Sequence, residues 1–379
     1  MPVVVQKYGG SSVADVEKLG KVADKVVAAR RAGDQVVVVV SAMGKTTDQL
    51  LALAKQIDET PPRRELDMLL TTGERVSMAL LSMAIQKRGE AAISFTGSQS
   101  GIITNDRHFD ARIIEVRPHR IEDELSRGRI VIIAGYQGMS YKREITTLGR
   151  GGSDTTAIAL AAALGAERAE IYSDVDGVYT ADPRIVPGAA HLPELGYEQM
   201  QEMADVGAKV LNATAVELAK KAGIRIHARA SFAPGKETVV HEGGGKGAVS
   251  VVGQRGIVRA RVGDEMDLKR ALNVLADVAL PARDVELGNG ASFLIPTALT
   301  PDWSAIEARL KTDVPSLIME SGLGAASVVG DLPERALTHA LELVAGTRGA
   351  SASGGRVSLL VPESDLDGAV RALHARFVE

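Results

Sequence analysis

The sequence predicts an α/β protein whose mostly parallel sheet is covered by helices on both faces. Short β-branched apolar runs alternate with helical patterns over the first two-thirds of the chain, which is the order that builds parallel sheets. Val36 to Val40 is an unbroken valine block, the pattern of a strand buried on both sides. Polar and glycine-rich loops follow several predicted strands, where open sheets of this class collect ligands.

Taken in order, strand Val3 to Val5 feeds a loop holding Lys7, Gly9, Gly10 and Ser11. Ser12, with Asp15 three residues on, marks a helix start, and Gly33 stops that helix near Arg30-Arg31. Strand Gln35 to Val40 delivers Ser41 and Thr47, and a helical pattern follows from Asp48. Two amphipathic helices, Glu65 to Leu70 and Val76 to Gln86, flank Thr71-Thr72-Gly73-Glu74-Arg75. Further buried strands are read at Ala92 to Phe95, Ile130 to Ala134, Ala169 to Tyr172 and Ile224 to Ala228. Between the middle pair, Thr147-Leu148-Gly149-Arg150-Gly151-Gly152-Ser153-Asp154-Thr155-Thr156 opens into a helix from Ala157 to Leu164. A flexible joint at Glu242-Gly243-Gly244-Gly245-Lys246-Gly247 marks a boundary. Beyond it lie two weakly similar runs: strand Ile257 to Val262, a helix from Asp264 and strand Ser292 to Ile295, then strand Ala325 to Val329, a helix from Pro333 and strand Arg356 to Val361. The expected domains are 1–242, 248–311 and 312–379, with interleaving of the last two left open.

Composition narrows the function. A chain of 379 residues is long enough for two or three domains without covalent staples, and it contains no cysteine. Thiolate nucleophiles, disulfides and Cys-bound zinc are thereby excluded, which suits a cytoplasmic protein. The net charge is −4, lysine and arginine are scattered, and aromatics make up 3%, so neither nucleic acid nor a membrane is an expected partner. No apolar run in the sequence reads as long enough to span a bilayer. None of the 7 histidines forms a metal pair. Gly44-Lys45-Thr46 lacks the earlier glycine of a P-loop, and Ser173 to Arg184 lacks the closing glutamate of an EF-hand. No protein-held metal is expected.

The loops point instead to a small anion. Glycines let backbone N–H groups approach a ligand, a helix start adds positive potential, and an arginine fork grips a carboxylate through two hydrogen bonds. Each candidate has a plainer reading: Lys7 as a solvated strand-end lysine, Thr47 as a helix cap, Glu74 as a first-turn acid, Asp154 as a cap, and Lys209 as a surface helix lysine.

Three segments tip the balance together. Lys7-Tyr8-Gly9-Gly10-Ser11-Ser12, Gly149-Arg150-Gly151-Gly152-Ser153-Asp154-Thr155 and Ser173-Asp174-Val175-Asp176-Gly177-Val178-Tyr179-Thr180-Ala181-Asp182-Pro183-Arg184 resemble the signatures of aspartate kinases, members of the amino acid kinase superfamily. The resemblance is strong over 1–211 and holds in outline over 248–379, where relatives carry a pair of ligand-sensing ACT domains. It implies an amino acid kinase fold followed by two βαββαβ-like ACT domains. It also implies an enzyme that transfers the γ-phosphoryl group of MgATP to the β-carboxylate of L-aspartate, the first step toward lysine, threonine and methionine.

Roles carry over residue by residue. The resemblance makes Lys7 the cation bridging nucleotide and acceptor, and Asp154 the group aligning it. Gly9, Gly10 and Ser11 would complete the phosphate cradle. Glu74 would hold the substrate ammonium and Arg150 its α-carboxylate, with Ser41, Thr47 and Ser153 as further substrate contacts. Ser173, Asp174, Tyr179, Asp182, Arg184 and Lys209 would bind the nucleotide. Magnesium would arrive on the phosphates. Lysine or threonine is the implied effector, and a homodimer or larger homo-oligomer the implied assembly.

The chain departs from the family pattern at Asn212-Ala213, where His-Pro is usual, and at Val262-Gly263-Asp264-Glu265, Gly288 to Ser292 and Ser353 to Arg356 in the sensing region. Two roles therefore stay open for that region, effector binding and a dimerisation scaffold. Competing readings are a kinase for glutamate, N-acetylglutamate or a nucleotide, and a non-catalytic amino-acid sensor. An acetylated substrate or UMP offers Glu74 no ammonium to bind.

Overall fold

The computed structural model describes residues 2–149, 151–233, 235–245, 249–278, 280–298, 300 and 302–378. The chain divides into two compact units: Met1–Val178, Leu192–Gln201 and Lys209–Lys246 form the first, and Tyr179–His191, Glu202–Ala208 and Gly247–Glu379 the second.

An eight-stranded sheet organises the first unit, in the order Glu194–Gly196, Glu237–His241, Arg225–Ala230, Arg168–Ser173, Val3–Tyr8, Gln35–Val40, Ile130–Ala134, Ala92–Phe95. Every neighbouring pair is parallel except Arg225–Ala230 with Glu237–His241. The mostly parallel sheet expected from the sequence is present. Its central strand, Val3–Tyr8, pairs with Gln35–Val40 on one side and Arg168–Ser173 on the other. Strand pleating turns successive side chains to opposite faces, so Lys7 and Tyr8 look in opposite directions. Tyr8 joins a core shared with helices Val16–Arg31 and Thr72–Gln86, while Lys7 meets helix Gly152–Ala163.

Several boundaries differ from the sequence reading, each for a local reason. The first strand runs on to Tyr8, because Lys7 keeps its ladder partners Val39 and Ile171. Ser12 is not the cap of the following helix; it lies in the short 3-10 turn Gly10–Val13 and shares a hydrogen bond of 2.5 Å with Ser231. Asp15 is the cap instead, accepting from the Lys18 N–H. The helix expected from Ala157 begins at Gly152, with Gly151 in the left-handed region at its start. The segment around Glu74 does not interrupt two helices as expected: they are Arg63–Leu70 and Thr72–Gln86, meeting at Thr71, so Glu74 lies within the first turn of the second. The combined stretch Arg63–Gln86 has 24 residues and is apolar enough by composition to cross a membrane, contrary to the sequence reading. Here it is packed into protein, with Leu66, Leu70, Leu81 and Ile85 buried.

A second, four-stranded sheet of the same unit runs Ile113–Val116, Ile102–Thr104, Gln137–Ser140, Ile145–Thr147. It brings Thr147 to the start of the glycine-rich loop.

The second unit is built on a six-stranded sheet, Arg283–Gly288, Gly290–Pro296, Ser250–Val262, Ile318–Val329, Arg356–Pro362, Gly349–Ser353, antiparallel throughout. Two helix pairs pack on it. Glu265–Asp277 and Trp303–Asp313 cover Val258, Ala260, Val262 and Phe293, and Ala336–Leu343 with Leu366–Phe377 cover Val251, Ala326, Val328 and Leu359. The long strand Ser250–Val262 serves both clusters, bulging between Gln254 and Ile257.

Behind Tyr8 in the first unit, buried Glu170 accepts from Gln6 Nε2 at 2.9 Å, Tyr172 Oη at 3.0 Å, Arg168 Nε at 2.8 Å and Arg229 Nη1 at 2.9 Å. Burial works against its charge, and Arg168 and Arg229 overcome that, holding its carboxyl below the ordinary glutamate range. Tyr8 and Tyr172 stack beside it at 4.7 Å. Glu170→Ala leaves two cations without their shared partner and should cost about 3–5 kcal/mol. A thermal or urea unfolding midpoint that does not move would contradict this. Because the native pKa is depressed, the stabilisation is present above the unfolded glutamate pKa and lost as pH falls through the native value.

Candidate active site

At the carboxyl ends of the central strands, Lys7 Nζ lies 2.7 Å from Asp154 Oδ1, and both side chains are 12% exposed. Asp154 is in the first turn of helix Gly152–Ala163, whose N-cap position is Gly151, so the plainer reading of Asp154 as the cap gives way to the ion pair. Two glycines adjoin the lysine. Gly9 donates to the Tyr172 carbonyl at 3.1 Å, and a Cβ there would stand 3.6 Å from Lys7 Nζ. At Gly10 a Cβ would come within 2.9 Å of the Ala42 carbonyl oxygen, so the turn after Lys7 packs backbone to backbone on the Ser41 loop. Ser11 beyond it is exposed.

Ser41 Oγ donates to Ser153 Oγ at 3.0 Å, tying that loop to the residue before Asp154. The next residue, Ala42, donates its N–H to Glu74 Oε1 at 3.0 Å. Glu74 is 2% exposed, and its other oxygen, Oε2, is buried with no hydrogen-bond partner among the described residues. Burial raises its pKa to about 7, with its own backbone N–H and that of Ala42 pulling the other way. A half-satisfied buried carboxylate is costly on its own and fits a site that receives a cation from a ligand.

Lys7, Asp154, Ser41, Ser153 and Glu74 are thus one linked group. Thr47 sits in the first turn of helix Thr46–Ile57, which it does not cap, and among the described residues it makes no hydrogen bond to that group. Arg150 lies outside the described residues. Ser173 braces its own loop, exchanging bonds with Val175, and Asp174 is exposed beside it. Lys209 is exposed on a loop between helices Tyr197–Asp205 and Ala213–Ala222, not on a helix as its plainer reading supposed. Tyr179, Asp182 and Arg184 belong to the second unit. There Tyr179 meets His191 edge-on at 5.3 Å, and Arg184 forks onto Asp182 with Nη2 to Oδ2 at 2.6 Å. Among the described residues no group of three or more His, Cys, Asp or Glu could hold a metal ion.

The sequence reading overlooked Gly135. It follows strand Ile130–Ala134, donates to Val40 O at 3.0 Å, and a Cβ there would come within 2.8 Å of Ser153 Oγ. A glycine directly after a buried strand was the available signal. Asn212, noted only as a departure, caps helix Ala213–Ala222 by accepting from Ala215 N–H at 3.2 Å. It also packs on Gly151, where a Cβ would lie 2.2 Å from its Nδ2.

Residues 2–229 match the amino acid kinase family. The aspartokinase of Corynebacterium glutamicum is 42% identical over 406 aligned positions, covering 100% of this chain and 96% of that protein. The chain belongs to the aspartokinases. As a member it is an ATP-dependent kinase, as the sequence signatures implied. Mycolicibacterium smegmatis aspartokinase is 57% identical over 63% of this chain, a match that spans only 57% of that relative's length. Escherichia coli aspartokinase III in complex with aspartate and ADP superposes with a TM-score of 0.86 at 25% identity, each chain covered in full. The same enzyme in complex with lysine and aspartate gives 0.76.

Two consequences follow for this aspartokinase from the raised pKa of Glu74. Its neutral form predominates below about 7; with Glu74 as the ammonium contact that the family resemblance implies, the apparent KM for aspartate should rise about tenfold from pH 8 to pH 6, which initial-rate kinetics would detect. In the ligand-free protein the sign reverses. Between the unfolded glutamate value and about 7 the folded state holds the extra proton, so this residue's contribution falls as pH rises. Glu74→Gln should therefore be the more stable protein at pH 8, by up to about 3 kcal/mol, and lose that advantage near pH 4.

Proposed function

We propose that this site joins MgATP and L-aspartate by charge neutralisation and alignment, with Lys7 as the cation between the two anions. The β-carboxylate is ionised at neutral pH, so no general base is needed. One of its oxygens attacks the γ-phosphorus, the bond from that phosphorus to the β–γ bridging oxygen breaks, and ADP leaves. Lys7 Nζ, held by Asp154, offsets the repulsion between acceptor and phosphate. Magnesium, carried by the nucleotide, neutralises further phosphate charge.

The observation that carries the substrate assignment is the unpartnered, buried Oε2 of Glu74. An α-ammonium supplies the missing partner together with a compensating positive charge, which neither UMP nor N-acetylglutamate carries. Arg150 completes the clamp on the α-carboxylate, its planar fork suiting that group, and Ser41, Thr47 and Ser153 line the acceptor. Gly9, Gly10, Ser11, Ser173, Asp174 and Lys209 are our assignments for the nucleotide, joined by Tyr179, Asp182 and Arg184 on the family resemblance alone.

We read the second unit as the ACT-like pair, with 248–311 and 312–379 interleaved through their long strands. The lysine complex of the Escherichia coli enzyme supports an amino-acid effector here, with lysine preferred over threonine. A homodimer or larger homo-oligomer in the cytoplasm completes the proposal.

Coupled ADP release with aspartate, glutamate, N-acetylglutamate and UMP tests the assignment. Aspartate alone should give turnover, and Lys7→Ala should lower kcat by at least about 100-fold without loss of fold. Near-normal turnover in that variant, or preference for an acetylated acceptor, would overturn it.

A further inference from the structure

Gly135, Tyr136 and Gln137 join the two sheets of the first unit: strand Ile130–Ala134 of the large one passes through Gly135 and Tyr136 into strand Gln137–Ser140 of the small one. Tyr136 has φ 68°, a left-handed conformation that a bulky residue keeps only where its neighbours impose it. Its backbone is held on both sides. The Tyr136 N–H donates to Thr156 Oγ1 at 3.2 Å, and its carbonyl accepts from the Leu148 N–H at 2.9 Å. The residues flanking it lead to the two carboxylates of the candidate site.

Gly135 leads to Asp154. A Cβ on Gly135 would stand 2.8 Å from Ser153 Oγ, 2.9 Å from Ser153 Cβ and 2.9 Å from Val39 Cγ1, closer than the roughly 3.5 Å at which carbon atoms pack. Val39 is the ladder partner of Lys7, and Ser153 precedes Asp154. The missing side chain therefore lets the start of helix Gly152–Ala163 settle on the strands beside Lys7. Thr156, further along the first turns of that helix, ties it to the same turn through the Tyr136 N–H.

Gln137 leads to Glu74. Its buried side chain donates through Nε2 to the Thr71 carbonyl at 3.1 Å. Thr71 is where helices Arg63–Leu70 and Thr72–Gln86 meet, and Glu74 lies in the first turn beyond it. Gln137 is itself fixed from behind, since a Cβ on Gly97 would come within 2.0 Å of its carbonyl oxygen: the loop after strand Ala92–Phe95 packs directly on its backbone.

We propose that the Gly135–Gln137 turn is the positioning element that keeps Asp154 and Glu74 in register, the first against Lys7 and the second against the Ala42 N–H, so that both face one acceptor. The inference rests on the proposed roles of Lys7 and Glu74. Each anchor has its own kinetic signature. Displacing Asp154 loosens a cation needed in the transition state and lowers kcat, whereas displacing Glu74 weakens acceptor binding in ground and transition state alike and raises the KM for aspartate. A merely destabilised protein would lose active fraction, lowering Vmax and leaving both KM values in place.

Gln137→Met keeps the length of the side chain and removes the donor. It should raise the KM for aspartate about tenfold, with kcat and the KM for ATP close to wild type, and calorimetric titration with aspartate reads the same loss of affinity without turnover. Gly135→Ala should lower kcat at least about tenfold, referred to the folded fraction measured by circular dichroism. Thr156→Val, which takes the acceptor from the Tyr136 N–H, should move kcat in the same direction, and Thr156→Ser should restore it. If Gly135→Ala does not fold, the Thr156 pair decides. An unchanged aspartate affinity in Gln137→Met, equal losses for aspartate and ATP in that variant, or a wild-type kcat in Gly135→Ala or Thr156→Val would overturn the proposal. Failure of the wild type to use aspartate would instead refute the functional reading of the site.

Discussion

The ion pair between Lys7 and Asp154 is the constraint on which the rest of the active site turns. Each partner comes from an element that the core fixes independently: Lys7 from the central strand of the large sheet, Asp154 from a helix buried over nearly its whole length. An ammonium on a four-carbon stem is otherwise mobile. Pinned between a strand end and a helix start, it becomes a fixed charge in a partly desolvated place, where Coulomb attraction is stronger than in water. Two anions that repel each other in solution can be brought to reacting distance around such a group. The same strand end runs into the glycine turn at Gly9 and Gly10, which the Tyr172 carbonyl and the Ser41 loop hold in place directly after the cation.

Glu74 shows the complementary arrangement. A fixed cation attracts any anion, whereas a buried carboxylate with one oxygen unpartnered admits a ligand that brings its own positive group. Holding such a residue is costly, and the surrounding helix makes that tolerable by supplying its first-turn position and a close approach at Gly73, where a Cβ would lie 2.8 Å from the Ala42 side chain. On the proposed reading, selectivity for a free amino acid comes from this carboxylate, whose charge a ligand ammonium would offset while donating to the open oxygen.

Much of the first unit was legible in the sequence because its signals are local. The valine block of Gln35–Val40 and the strands Ala92–Phe95 and Ile130–Ala134 were read to the residue. Errors gathered around the candidate site. Lys7 and Glu74 look like loop residues by polarity, but tertiary partners keep one in the strand and the other in the helix. The helix starts as early as Gly152 because that buried glycine lets it pack against Leu148 and Tyr136, where a Cβ would come within 2.8 Å and 3.1 Å of their side chains, a condition that local propensity does not reveal. Gly135 and Gln137 left almost no sequence signal, since their significance is a partner distant in sequence: Ser153 for one, Thr71 for the other. In the second unit the strand cores were visible, but not how far each strand extended. Ser250–Val262 and Ile318–Val329 reach well beyond their apolar centres by pairing with each other, and a bulge absorbs the mismatch.

On the proposed reading, Lys7 is what lets aspartate and a nucleoside triphosphate occupy the site together. Isothermal calorimetry of aspartate binding, with and without a saturating non-hydrolysable MgATP analogue, measures this directly in the wild type and in Lys7→Met. Aspartate should bind the wild type with similar affinity in both conditions, and bind Lys7→Met at least about tenfold more weakly when the analogue is present. An equal affinity for aspartate in Lys7→Met whether or not the analogue is bound would contradict the central claim.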